Sequence, residues 1–81
     1  MLVELLEVKE KKENYKSVAN QEVGNIFRVI SAAADFRGYF HKLNSSDCIK
    51  TSVITRIEIE SSTKTYLKIE TENTNYLFEV I

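Results

Sequence analysis

The side chains best able to do chemistry are a single cysteine and a single histidine. Cys48 and His41 could act as a nucleophile and its base, although an inert cysteine at the start of a strand is the commoner interpretation. Metal sites need three or four clustered Cys, His or carboxylate ligands, and the chain has no short-spaced pair such as C-x-x-C or H-x-x-x-H. The sequence therefore predicts a protein without a catalytic centre, a metal or a cofactor.

Groups that could bind a partner are more plentiful than catalytic ones. Residues 37–42, RGYFHK, interleave cations with aromatics, a composition that can stack bases and neutralise phosphates. A core aromatic flanked by a solvated strand edge explains the same pattern without a ligand. The cations and aromatics that could contact a ligand or partner are Arg28, Arg37, Tyr39, His41, Lys42, Lys50 and Arg56.

Two segments rich in hydroxyl and amide groups, residues 50–54 and 71–76, add further candidates. Their small side chains place donors and acceptors close to the backbone, which suits a small polar ligand or a phosphate. Ordinary strand threonines and turn asparagines would give the same composition. The candidates from these segments are Thr51, Ser52, Asn73 and Tyr76.

The chain has 81 residues and a net charge of −1, so it can hold only one hydrophobic core. We therefore expect a single domain, residues 1–81. A lone cysteine cannot form an intramolecular disulfide, whereas secreted proteins of this size usually contain several. The N-terminus is acidic where a signal peptide is basic, and no apolar run approaches the ~20 residues of a membrane span. We predict a cytoplasmic protein with no membrane contact.

Charge is distributed unevenly along the chain. Residues 23–56 contain five cations and two acids, whereas residues 57–81 contain five acids and two cations. The acidic rows could imitate nucleic-acid phosphates toward a basic protein groove, or they could form a solvated outer face. They comprise Glu58, Glu60, Glu70 and Glu72.

The C-terminal third has the clearest secondary-structure pattern. Residues 49–59 alternate apolar or threonine side chains with charged ones, which indicates a half-buried strand. Residues 64–71 repeat the alternation after a short connection and predict a hairpin, and residues 75–81 predict a third strand after an Asn-rich turn. The expected inward side chains of the first strand are Ile49, Thr51, Val53, Thr55, Ile57 and Ile59.

Residues 25–43 can be interpreted in two ways. Apolar residues at helical spacing and the triple alanine at 32–34 favour a helix. As a hairpin, the segment offers Asp35 and Gly38 at favoured positions of a type I turn. Gly38 would cost about 1 kcal/mol in a helix, whereas the left-handed position of a bulged loop accepts it. We therefore favour the hairpin.

The preferred fold class is all-β, a small antiparallel partly open barrel of the SH3-like or OB-like kind. The alternative is α+β, with one helix around 25–43 packed on a three- or four-stranded antiparallel sheet. Residues 9–23, rich in Glu, Lys and Asn, are expected to form a mobile loop. The predicted strands are 2–9, 25–33, 38–43, 48–59, 64–71 and 75–81.

The two hydroxyl-rich segments carry a resemblance. Residues 51–54 fit T-S-x-[IV] and residues 71–76 fit T-x-N-[ST]-x-Y, and they follow residues 23–29, which resemble the opening strand of small SH3-like barrels. This order resembles that of small phage-encoded accessory proteins. The resemblance implies an accessory viral protein in the host cytosol, a group that includes inhibitors of CRISPR effectors and sponges for immune signalling nucleotides.

These observations favour a non-catalytic protein that inhibits a host defence protein by binding it. The alternative is a sponge for a signalling nucleotide, in which cations hold phosphates and Tyr39 or Tyr66 stacks the base. A nucleic-acid-binding barrel is disfavoured by the net acidity. Self-association would let so small a domain bury more apolar surface, and residues 75–81 are apolar on both faces, so we also expect a homodimer.

Overall fold

A computed structural model of the chain describes residues 1–12 and 18–81. The described residues form six antiparallel strands and one short 3₁₀ helix, Val18–Glu22. The all-β prediction is therefore confirmed, and the alternative helix around 25–43 is not formed. The strands are β1 Leu2–Glu10, β2 Ile26–Ser31, β3 Arg37–Lys42, β4 Cys48–Ser61, β5 Thr65–Thr71 and β6 Thr74–Val80.

The strands form a meander that closes on itself. Each strand pairs with the next one in the chain, and β1 pairs with β6 to complete the barrel. The predicted loop at 9–23 is shorter than expected, since β1 extends to Glu10 and the 3₁₀ helix occupies 18–22; residues 13–17 lie outside the described residues. The described residues contain no helix with the length and apolar character needed to cross a bilayer.

Aromatic side chains fill the centre of the barrel. Phe40 and Phe78 are fully buried and stack with their ring centroids 4.8 Å apart, and Tyr76 lies 6.2 Å from Phe78. Successive side chains of a strand point to opposite faces, so every second residue of β5 and β6 reaches this core. The other buried apolar residues are Val3, Leu5, Ala19, Phe27, Ile49, Ile54, Leu67 and Ile69.

Strand β4 departs from strict alternation. Thr51 and Ile54 are both buried although they are three residues apart, because the register of β4 shifts against β3 and again against β5. Each extra residue moves the following side chains to the other face. The prediction that Val53 and Thr55 point inward was therefore wrong, since Val53 is only half-buried and Thr55 is exposed.

Gly38 has a different role from the predicted one. It lies inside β3, and the left-handed conformation of the β2–β3 connection belongs to Asp35, whose φ is 73°. A Cβ at position 38 would lie 2.9 Å from Cε2 of Phe40 and 3.1 Å from Oγ1 of Thr51. The hairpin is confirmed, but the glycine is required for space in the core and not for a positive φ.

The 3₁₀ helix is attached to the barrel by a polar cluster. Glu22 lies 3.1 Å from Nζ of Lys42 and accepts a 2.8 Å hydrogen bond from Nδ2 of Asn25. Two hydrogen bonds lower the pKa of Glu22 below its ordinary value: the one from Lys42 has the larger effect and the one from Asn25 the smaller. Ala19 of the same helix is buried in the core.

The contribution of Glu22 to stability is expected to be lost in acid. Because the folded-state pKa of Glu22 is lowered, its contribution is complete above the unfolded-state pKa of about 4.5 and disappears as the pH falls through the folded-state pKa. The Glu22→Gln variant should melt below the parent at pH 7, and the gap in Tm should shrink as the pH is lowered toward 2. A gap of constant size across this range would contradict the assignment.

Candidate binding face

Five of the predicted binding residues lie together on the outside of the barrel. In β2, β3 and the first part of β4 the inward positions are taken by core residues, so the alternate residues point outward. Arg28 is the cross-strand partner of His41, and Tyr39 is the partner of Lys50. We call the resulting surface the basic face; it consists of Arg28, Arg37, Tyr39, His41 and Lys50.

The cations of the basic face have no acidic partners among residues 1–12 and 18–81. Arg28, Arg37 and Lys50 take part in none of the ion pairs formed there, whereas the cations that do are Lys11, Lys42, Arg56, Lys64 and Lys68. None of the three faces an acid across the strands, since Arg28 is opposite Leu2 and His41, Arg37 is opposite Val53, and Lys50 is opposite Tyr39. The positive charge of this face is therefore not neutralised by an ion pair within the part of the chain that the structure describes.

An aromatic ring lies within this charge. Nζ of Lys50 is 5.5 Å from the ring centroid of Tyr39, within the range of a cation–π contact. The contact holds the ring and the ammonium group side by side on neighbouring strands. Both residues are exposed, so both remain available to a partner.

Two exposed apolar side chains adjoin the basic face. Ile30 of β2 is 61% exposed, and Phe36 in the β2–β3 connection is 67% exposed. The connection is fixed to β4 by two hydrogen bonds of 2.8 Å, from Asp35 N to the Ile54 carbonyl and from Ile54 N to the Phe36 carbonyl. Phe36 is thus presented to solvent by an ordered backbone.

Sequence reasoning did not select Ile30 or Phe36, because both fitted the apolar periodicity of the helix that is not formed. Period-two alternation in the hairpin would have placed Ile30 outward together with Arg28. No comparable signal exists for Phe36, which lies in an irregular connection.

Three of the remaining candidates have internal partners. Lys42 pairs with Glu22, as described above. Thr51 is buried, accepts a 2.8 Å hydrogen bond from Gly38 N and donates a 2.7 Å bond to the Ser52 carbonyl. Ser52 donates a 2.9 Å bond to Oγ1 of Thr71. These hydroxyls hold strands together.

The last three candidates lie away from the basic face. Arg56 belongs to the second part of β4 and lies 3.3 Å from Glu58. Asn73 is in the β5–β6 turn, where its carbonyl accepts a 2.9 Å hydrogen bond from Lys11 N. Tyr76 is 5% exposed and belongs to the core.

Cys48 and His41 are direct cross-strand partners on β4 and β3. The thiol of Cys48 is exposed and lies 3.6 Å from the Ile49 carbonyl as a weak donor. In the part of the chain that the structure describes, no group of three His, Cys, Asp or Glu is placed to hold a metal ion.

The surface has a concave region next to Lys50 of the basic face and another that contains no residue of that face. One, of about 230 Å³, is at the end of the barrel near the 3₁₀ helix, where Lys50 and Cys48 meet core residues such as Phe27. The other, of about 310 Å³, lies on the outside of β1, β6, β5 and β4 between oppositely charged side chains, with Asn75 and Leu77 among its lining residues.

No protein-family model, curated protein or solved structure matches this chain.

Proposed function

We propose that the protein is a non-catalytic binding protein that docks its basic face on an acidic surface of a protein partner. The observation that carries the proposal is the set of cations that have no acidic partner among the described residues, on one face with exposed Tyr39, Ile30 and Phe36. Aromatic residues and arginine are the residue types most enriched at protein interfaces, where they provide much of the binding energy. Uncompensated charge steers a partner of opposite sign and fixes its orientation.

The partner is proposed to belong to a host defence system. Support comes from the resemblance of residues 51–54 and 71–76 to small phage-encoded accessory proteins. In such a protein, inhibition requires only occupancy of the partner's surface, for which a rigid barrel with a fixed face is suited.

A second candidate function is binding of single-stranded nucleic acid. The supporting observation is Tyr39, whose exposed ring lies beside Lys50 and could stack on a base while the neighbouring cations neutralise phosphates. The net charge of −1 opposes this function. A signalling nucleotide could also bind to Tyr39 and Lys50. However, Arg56 and Tyr66, which were further candidates for holding such a ligand, lie on the β4–β5 hairpin and not on the basic face.

Charge reversal on the basic face is expected to abolish partner binding. The test variant is Arg28→Glu/Lys50→Glu, and the matched control is Lys9→Glu/Lys12→Glu, which changes the net charge equally at exposed sites elsewhere. A protein that co-purifies with the parent is isolated, and the Kd of its complex with each variant is measured by titration. We expect the test variant to weaken binding by at least about tenfold and the control to change it by less than about threefold.

Equal affinities for the test and control variants would remove the basic face from the proposal. A fluorescein-labelled dT20 oligonucleotide measures the second candidate in parallel by anisotropy. Binding of dT20 that weakens steeply with salt, and that the test variant loses, would favour nucleic acid over a protein partner.

A further inference from the structure

Strand β4 has an edge to which no described strand is paired. Pairing between β3 and β4 ends at Arg37 and Val53, whereas β4 continues to Ser61 along β5. Beyond Ile54, no backbone hydrogen bond of the described residues joins this part of β4 to anything other than β5 and the adjoining turn. We call residues 55–61, on the side away from β5, the free β4 edge. An edge of this kind is a template for another strand.

The free β4 edge carries an apolar side chain in solvent. Ile59 is 60% exposed, although its cross-strand partner Leu67 is buried, and the neighbouring inward residue Ile57 is half-buried. A second strand laid along the edge would cover both isoleucines and supply the missing backbone hydrogen bonds.

The sequence of this edge is chemically self-complementary about its midpoint, Glu58. When two copies pair antiparallel about a two-fold axis at Glu58, Ile57 faces Ile59 of the second copy and Arg56 faces Glu60 of the second copy. Thr55 then faces Ser61 of the second copy. Apolar, opposite-charge and hydroxyl pairs are the favourable types of cross-strand pair, and each occurs twice because of the symmetry.

Only Glu58 meets a like charge in this arrangement, namely its own counterpart. Arg56 of the same chain lies 3.3 Å from Glu58 and offsets that charge. A slip of one residue would place Ile57 opposite Glu58 of the second copy and would lose the apolar and the charged pairs together.

We propose that two copies of this chain associate through the free β4 edge, in the antiparallel register centred on Glu58. The symmetric complementarity selects a second copy over an unrelated extended peptide, which would have no reason to match both halves of the edge. This location is a strand edge of β4 and differs from the expected one, which was an apolar face of residues 75–81. The basic face is not part of the contact, so the proposal is independent of the proposed function.

Cysteine cross-linking tests the register. In a Cys48→Ser background, the Glu58→Cys variant places the two thiols at the axis, with Cα atoms about 4.5–5.5 Å apart, within disulfide range. In the matched Arg56→Cys variant the two Cα atoms are about 14 Å apart, since position 56 lies opposite position 60 of the second copy and four residues separate the two positions along the strand. Under a mild oxidant we expect Glu58→Cys to form the covalent dimer at least about tenfold faster. Equal rates, or no cross-linking at position 58, would overturn the proposed register.

Sedimentation equilibrium tests the contact without cross-linking. At 100 µM we expect a dimer mass for the parent and for Ile30→Lys, and a monomer mass for Ile59→Lys. Ile30 is the matched control because it is an equally exposed strand isoleucine away from the β4 edge. A monomer mass for the parent, or a dimer mass for Ile59→Lys, would overturn the proposal. Melting curves of all variants confirm that each is folded at the temperature of measurement.

Discussion

The Phe78→Ala variant is expected to lose a large part of the stability of the domain. Phe78 is fully buried, stacks on Phe40 at 4.8 Å and lies next to Tyr76, so its removal leaves a cavity at the centre of the barrel. Truncation of a buried phenylalanine costs about 3–5 kcal/mol. A chain of this length has a total stability of only about 4–12 kcal/mol, at about 0.05–0.15 kcal/mol per residue.

Thermal unfolding followed by circular dichroism measures this effect. We expect Tm to fall by at least about 12 °C, since 1 kcal/mol corresponds to about 4–8 °C in a domain of this size. Two isoleucines give the graded control: Ile57→Ala, half-buried, should lie between Phe78→Ala and the parent, and Ile30→Ala, at 61% exposure and outside the proposed contact between copies, should differ little. Equal losses at positions 30 and 78 would show that the assigned core is wrong.

The strands of the fold were predictable because, in most of the chain, the local sequence pattern favours the same secondary structure that the barrel contains. Strands β5 and β6 alternate strictly, and their turns contain the residues that favour turns. The β2–β3 hairpin was less secure, since the apolar residues of 25–43 satisfy helical spacing as well. A helix there would have left β1 and β4 without the two strands that join them in the barrel. Tertiary pairing decided between two locally acceptable structures.

The inward face of β4 could not be predicted from alternation. The pattern from Ile49 to Ile59 is regular in sequence, but the strand bends around the barrel with extra residues on either side of Ile54. Such bulges depend on the register of neighbouring strands, which is set by the whole sheet and not by β4 alone. Ile59 lies on the same face as Ile57 and Leu67, and it is exposed because β4 continues there beyond its pairing with β3.

The basic face was predicted in composition but not in extent. Cations and aromatics of residues 28–50 were recognised as candidates, and β2, β3 and β4 bring five of them together. The hydroxyl-bearing candidates Thr51 and Ser52 instead serve the strand contacts, because a threonine in a strand is as readily inward as outward. Which cations lack acidic partners depends on packing across strands, and sequence distance alone does not give it.

The Gly38→Ala variant is expected to lose about 1–3 kcal/mol of stability through overpacking. Its new methyl group would lie 2.9 Å from Cε2 of Phe40, 3.1 Å from Oγ1 of Thr51 and 3.2 Å from Cδ1 of Ile54. Phe40 and Ile54 are fully buried and cannot move into solvent. Thr51 cannot withdraw freely either, because its Oγ1 accepts the 2.8 Å hydrogen bond from Gly38 N.

A double-variant cycle distinguishes overpacking from backbone strain at Gly38. Ile54→Val removes Cδ1, one of the three crowding atoms. In the parent this substitution should cost about 0.5–1.5 kcal/mol of stability, and in the Gly38→Ala variant it should cost less, because it also relieves the crowding. Gly24→Ala is the matched control, since Gly24 has a φ of 94° and no atom within 4 Å of an added Cβ. Gly24→Ala destabilises the protein through its backbone conformation, so the losses of stability from Gly24→Ala and Ile54→Val should add. Chemical denaturation gives the four free energies of each cycle, and additivity at position 38 would contradict the steric role of this glycine.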